Sequence, residues 1–201
     1  MTDSNIFEKI RSNPEYNPSN SWNWFQNNAR KIATGIGNQK LLGDNRQIQS
    51  NRFLPGQMIQ FFYSAKGKDK LPYWDSFPLV LPFAKNATHF TGLNFHYLHP
   101  RLRLLLLSKL MGYVTDHNLT VRTRFKLSWS LLRNASKFPQ VKPCVKQYIL
   151  NRVKSRYLII DPHDWPIACV LPSEGFKKAR PEAVFRDSQS MINDRNKGHG
   201  R

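Results

Sequence analysis

The apolar pattern divides the chain into an aperiodic start, a stretch with period two and a longer stretch with period 3.6. Residues 1–21 are rich in Asn, Ser and Pro and hold no sustained apolar period, so they read as mobile. Trp22, Trp24, Phe25 and Ile32 fit a short amphipathic helix ending near Thr34, and Gly35, Gly37 and Gly43 break it. Residues 35–52 are polar and rich in Gln and Asn. Residues 1–52 thus read as a flexible N-terminal arm with one Trp-containing helix. Trp22, Trp24 and Phe25 either dock on a partner or fold back onto the protein's own core.

Residues 53–97 read as β-structure. Gly56–Ser64 is rich in Phe, Tyr and Ile, and Ala65–Lys70 is a polar turn around Gly67. Phe77, Leu79, Leu81 and Phe83 alternate with Pro78, Val80 and Pro82. The prolines lack an N–H, so this strand is expected at an edge or bent. Thr88–His96 is a third strand, with Gly92 as its expected bulge. The fold class this predicts is α+β. It takes the form of a small SH3-like β-barrel, or a three-to-four-stranded antiparallel sheet, followed by a helical C-terminal half.

That half spans residues 98–192. Leu98–Met111 carries Pro100 in its first turn, where a missing N–H costs nothing. A second helix is expected from Arg122 to Lys137. Advancing about 100° per residue places Arg122, Lys126, Arg133 and Lys137 within about 60° of one another, with Trp129 bordering the stripe. Pro143 is expected to open a third helix to about Arg156, and Tyr157–Ile160 to add a strand. Asp161-Pro162 caps a short helix that Pro166 bends and Pro172 ends. Pro181–Ile192 is a last amphipathic helix using Val184, Phe185 and Met191, and 193–201 is a disordered tail.

Composition adds the charge. The 201 residues carry 31 Lys+Arg against 13 Asp+Glu, a formal net charge of +18. An aromatic content of 12% excludes a disordered basic tail, which would lack large apolar side chains. Runs such as Leu104–Leu107 fall far short of a spanning helix, the start at Met1–Asn5 has no leader pattern, and no membrane role is expected. The charge is uneven. Residues 122–160 hold ten cations and no acid: Arg122, Arg124, Lys126, Arg133, Lys137, Lys142, Lys146, Arg152, Lys154 and Arg156. Such a block repels itself, so a polyanion outside it is the expected counter-charge, and phosphate contact the expected role of each cation. Trp129 and Trp74 are candidate stacking rings. Tyr63, Tyr73, Trp74, Phe77 and Tyr97 lie beside Lys66, Lys68, Lys70 and Arg101 and read either as barrel core or as a base-stacking surface.

Catalytic chemistry is hard to find. Phosphate loops, dinucleotide fingerprints and nucleophile elbows are missing from the sequence. His96 and His99 stand three apart without a second ligand pair, and Cys144 and Cys169 are far from each other, so neither a metal nor another cofactor is expected. Both histidines are expected at a strand end and a helix start, satisfied by hydrogen bonds. Asp69 with Asp75 reads as a turn signal. Asp161 with Asp164 is the one close acidic pair near the basic block, and it reads as capping rather than as a Mg²⁺ site. No enzyme is expected; a nuclease would need that pair.

Four strings, LPYWDSFPL at Leu71–Leu79, FTGLNFHYL at Phe90–Leu98, KPCVKQY at Lys142–Tyr148 and DWPIACVLP at Asp164–Pro172, resemble the DNA end protector family of T4-like tailed bacteriophages. The resemblance covers roughly residues 52–190. It implies a minor virion protein that binds the termini of packaged double-stranded DNA and shields them from host exonuclease. It also implies action late in head assembly, beside portal, head or neck proteins. The alternative from the residues alone is a neck, portal or baseplate adaptor whose basic face meets acidic protein.

Overall fold

In this computed structural model residues 6–15, Asn28, 48–111 and 139–197 are described. Alternation along the strands separates two apolar surfaces rather than one. Strands β1 (Ile48–Ser50), β2 (Met58–Gln60), β4 (Leu79–Lys85), β5 (His89–Asn94), β6 (Val145–Ile149) and β7 (Tyr157–Ile160) form one sheet in the order β1-β7-β2-β4-β5-β6. Every pairing is antiparallel. Met58, Leu79, Leu81, Leu93, Leu158 and Ile160 join the main core with the helices. Their neighbours in sequence, Ile59, Val80 and Tyr157, join Phe53, Phe61, Phe90 and Tyr148 in an aromatic cluster. A strand buried on both sides reads as a continuous apolar run, which is why Leu79–Leu81 carries no polar residue.

The class is α+β as expected, but the sheet is open, with β1 and β6 as its edges; it is not a barrel. It also has six strands rather than three or four. One extra strand is Ile48–Ser50, which the sequence assigns to the arm and which pairs with Tyr157–Ile159. The other is Val145–Ile149, where the sequence predicts a helix from Pro143. Pro143 lies instead inside a 3-10 segment, Pro139–Cys144, and the β-branched and aromatic residues after it pair with His89–Leu93. The arm's mobility also fails at Ile6–Arg11, a helix (α1) that buries Phe7 and Ile10 in the main core.

Pro82 sits in a central strand, not at an edge. Its missing N–H lies beyond the two ladder pairs that β2 makes with β4, and the β4–β5 register shifts between Pro82 and Ala84. The bulge expected at Gly92 is therefore on the opposite strand. Gly92 serves close approach instead: a Cβ there would lie 2.5 Å from Val80 Cγ1 and 2.9 Å from the Leu81 carbonyl oxygen.

The helices cover one face. Helix α2 (Pro100–Met111) buries Leu106 and Leu107 and packs on α3 (Trp165–Val170). Asp161 caps the 3-10 turn before α3, accepting from the His163 N–H at 2.9 Å. Pro166 falls in the first turn of α3, where it seeds the helix rather than bending it. Helix α4 (Pro181–Lys197) extends into the stretch expected as a tail. It buries Val184, Ser188 and Ile192 at a spacing of four and leaves Met191 exposed. Strands β3 (Trp74–Asp75) and β8 (Phe176–Lys177) form a separate two-stranded ladder.

Gly92→Ala is expected to destabilise the fold by about 1–3 kcal/mol through overpacking against Val80. Chemical denaturation measures this, and an unchanged midpoint would contradict the close approach.

Candidate nucleic-acid interface

The predicted basic stripe of Arg122, Arg124, Lys126, Arg133 and Lys137, with Trp129 beside it, lies outside the described residues, as do Trp22, Trp24 and Phe25. The remaining predicted contacts are carried on β6 and the segments flanking it, not on an α-helix: Lys142 in the 3-10 segment before β6, Lys146 on β6, Arg152 in the 3-10 turn Leu150–Arg152, and Lys154 and Arg156 in the loop before β7. Lys142, Lys154 and Arg156 are exposed, and Arg152 is half-buried. Lys146 is engaged by the fold: its ammonium lies 3.9 Å from the Tyr97 ring centroid, and burial lowers its pKa.

Residues 152–155 are fastened beside Phe62–Ser64. The Lys154 N–H donates to the Phe62 carbonyl at 2.8 Å, the Ser64 N–H to the Arg152 carbonyl at 3.0 Å, and the Phe62 N–H to Ser155 Oγ at 2.9 Å. Ser64 leads directly into the lysine-rich turn, in which Lys66, Lys68 and Lys70 are all exposed. Trp74 is half-buried and pairs with Lys177 across the β3–β8 ladder. Lys177, Lys178 and Arg180 are exposed as well, and the charge-block argument missed them because acids elsewhere in 161–201 mask the local excess. Of the aromatic group, Phe77 and Tyr97 are core, and Tyr63 packs on Tyr148 with ring centroids 5.0 Å apart.

Beneath this surface lies a buried polar network that sequence reasoning missed. Asp75, read as a turn residue, is its hub. Oδ1 accepts from the Phe77 N–H at 3.0 Å and the Gly175 N–H at 3.1 Å, and Oδ2 from Asn94 Nδ2 at 3.1 Å. His96 Nδ1 lies 2.8 Å from Oδ2, and His96 Nε2 lies 3.2 Å from Ser173 Oγ, which in turn accepts from Gln60 Nε2 at 3.0 Å. With a neutral imidazole the proton sits on Nδ1, and the chain runs Gln60 to Ser173 to His96 to Asp75. Burial alone would raise the Asp75 carboxyl, but His96, Asn94 and the Phe77 amide outweigh it and hold it below the ordinary value. Arg103 is buried next to this network and donates to the carbonyls of Leu98, Cys169 and His96 and to the Glu174 carboxylate.

A serine, histidine and aspartate in series is the order of a hydrolytic triad. Here His96 is 0% and Ser173 2% exposed, so this serine is walled off from any substrate and the series is structural. The cysteine thiols are fully buried, and burial pushes both up to about 12, far from a reactive thiolate. Asp161 is a cap, and Asp164 pairs with Arg11 at 3.3 Å. His96 lies just past β5 in the 3-10 turn Phe95–Tyr97, its N–H donating to Asn94 Oδ1 at 3.0 Å, and His99 Nδ1 accepts from the Arg101 N–H at 3.4 Å at the start of α2. Among the described residues no three His, Cys, Asp or Glu side chains converge as a metal-ligand set, and no helix is long and apolar enough to cross a membrane.

Residues 3–186 match the family model described as Phage T4 terminal DNA protecting protein. No curated protein and no solved structure matches the chain.

Asp75→Ala leaves two backbone N–H groups, Asn94 and His96 buried without their acceptor, so a loss of about 3–5 kcal/mol is expected. A depressed carboxylate stabilises the fold above its unfolded pKa, near 4, and that stability is lost as pH falls through the lower native value. The gap between wild type and variant should therefore be full at neutral pH and shrink in acid. Denaturation across pH 2–7 measures it, and a gap independent of pH would contradict the ionised hub.

Proposed function

The chain belongs to the phage T4 terminal DNA protecting protein family, and on that premise we propose that it binds the ends of double-stranded phage DNA through a basic face and blocks exonuclease there. The observation that carries this is the acid-free run of ten cations between Arg122 and Ile160. Lys142, Lys154 and Arg156 are exposed members of that run. Their backbone is fixed by the 3-10 segment before β6 and by the hydrogen bonds that hold residues 152–155 beside Phe62–Ser64, so only their side chains need to order on phosphates. Arg122, Arg124, Lys126, Arg133 and Lys137 continue the run and extend the contact. Phosphate contacts give affinity and orientation without reading sequence, which suits a genome end of any sequence. Trp74 offers a ring to a terminal base pair. Protection is steric: a bound protein covers the terminal nucleotides that an exonuclease must thread. The protein acts in the virion on the filled head, with Trp22, Trp24 and Phe25 docking on a portal or head protein.

Linear duplex incubated with the protein should resist a processive exonuclease. Lys142→Glu, Lys154→Glu and Arg156→Glu together should weaken binding at least about tenfold, since each removed contact lowers the salt slope by about 0.9. Linear DNA degraded at the unprotected rate would overturn the proposal. Wild-type protection by the triple variant would overturn the site.

A further inference from the structure

The turn Ala65–Lys70 is fixed by an unusual device. Lys178 has φ of 67°, the left-handed region that L-residues with a side chain rarely adopt. From there its ammonium donates to the carbonyls of Lys68 at 2.8 Å, Asp69 at 3.0 Å and Leu71 at 3.1 Å. An ammonium has three donors, so Lys178 is fully used in holding this backbone. The turn is closed from within by the Lys70 N–H on the Gly67 carbonyl at 2.9 Å, with Gly67 at φ of 65°. A Cβ at Gly67 would meet nothing, so glycine is there for its backbone angle alone.

The electrostatics of this arrangement are unfavourable as they stand. Lys178 brings a fourth positive charge to a turn that already presents Lys66, Lys68 and Lys70, with Asp69 as the turn's single acid. Lys177 and Arg180 are exposed on the same segment as Lys178. Among the described residues, none of Lys66, Lys68, Lys70, Lys177 and Arg180 has a carboxylate partner. Lysines kept for solubility need no fixed backbone, and strain held at one residue to order a distant loop points to a function for that loop. The missing element is an anion of extended shape.

We propose that the Lys66–Lys70 turn is a preformed contact for the phosphodiester backbone of duplex DNA, with Lys178 as its positioning residue. The inference rests on the DNA-binding reading above and adds a site outside the basic block. The two regions are continuous: Ser64, bonded to Arg152, lies two residues from Lys66, about 7 Å along an extended chain. Exposed Lys154 and Arg156 on one side and the turn on the other would then follow one strand of phosphates.

The test uses the full chain and a short blunt duplex with 5′-phosphates, titrated over a range of salt. Lys66→Ala, Lys68→Ala and Lys70→Ala together should weaken binding at least about tenfold and flatten the log K against log salt slope by up to about 2.7, at about 0.9 per contact. Lys178→Met should speed hydrogen exchange at the Lys70 amide and weaken binding in the wild-type background. In the triple-alanine background it should add nothing, because the groups it positions are gone. A general loss of stability would weaken both backgrounds alike and would overturn the role given to Lys178. Wild-type affinity and slope in the triple variant would overturn the turn while leaving the DNA-binding reading intact. Failure of the wild-type protein to bind the duplex would remove both.

Discussion

The Asp75 carboxylate is the constraint from which the exposed surface is built. A carboxylate this deep is tolerated only when its lone pairs are filled, and four donors fill them. Each donor is a different part of the fold: the turn that leads into β4, the end of β5, the 3-10 turn after it and the loop that leads into β8. The Gly175 amide is the link outward. It has no room for a side chain, since a Cβ would come within 2.7 Å of the Phe77 nitrogen. Its carbonyl accepts from both the amide and the hydroxyl of Ser76. Two residues on, Lys177 pairs with Trp74, and Lys178 then reaches the lysine-rich turn. A buried anion thus sets the position of surface cations that are far from it in sequence.

The same economy appears in Arg103. Its guanidinium is enclosed by three carbonyls and the Glu174 carboxylate, so it ties helix α2 to the loop after α3 at no cost in unpaired charge. Burial would raise Glu174, but the Arg103 guanidinium beside it holds it below its ordinary value. Glu174 is buried together with Arg103, so that pair leaves the surface charge unchanged, whereas Asp75 takes one of the chain's few acids out of the surface.

Much of the sheet was legible from local pattern. Tyr157–Ile160 and the strand around Thr88–His96 follow from β-branched and aromatic runs, and the Asp161-Pro162 cap from two residues alone. Val145–Ile149 was not legible, because Pro143 and the surrounding lysines imitate a helix start. Only the free edge of β5 selects the strand. Ile48–Ser50 was hidden for the same reason: three residues in a polar stretch become a strand only because Tyr157–Ile159 is there to pair. The site divides likewise. The excess charge and its block were visible by counting, whereas the network of Asp75, His96 and Ser173 joins residues up to about a hundred positions apart, which no local pattern reports. Nothing in the sequence marks Lys178 among the other lysines; its backbone angle and three carbonyls set it apart.

The proposed end-protecting role requires that the protein prefer a DNA end to polyanion in general. Competition is the most direct measurement: protein bound to labelled linear duplex is challenged with equal masses of unlabelled linear fragments and covalently closed circles. The account predicts that linear competitor displaces the label in proportion to its number of ends, and that circles displace it only at much higher mass. Equal displacement by circles and fragments would contradict it.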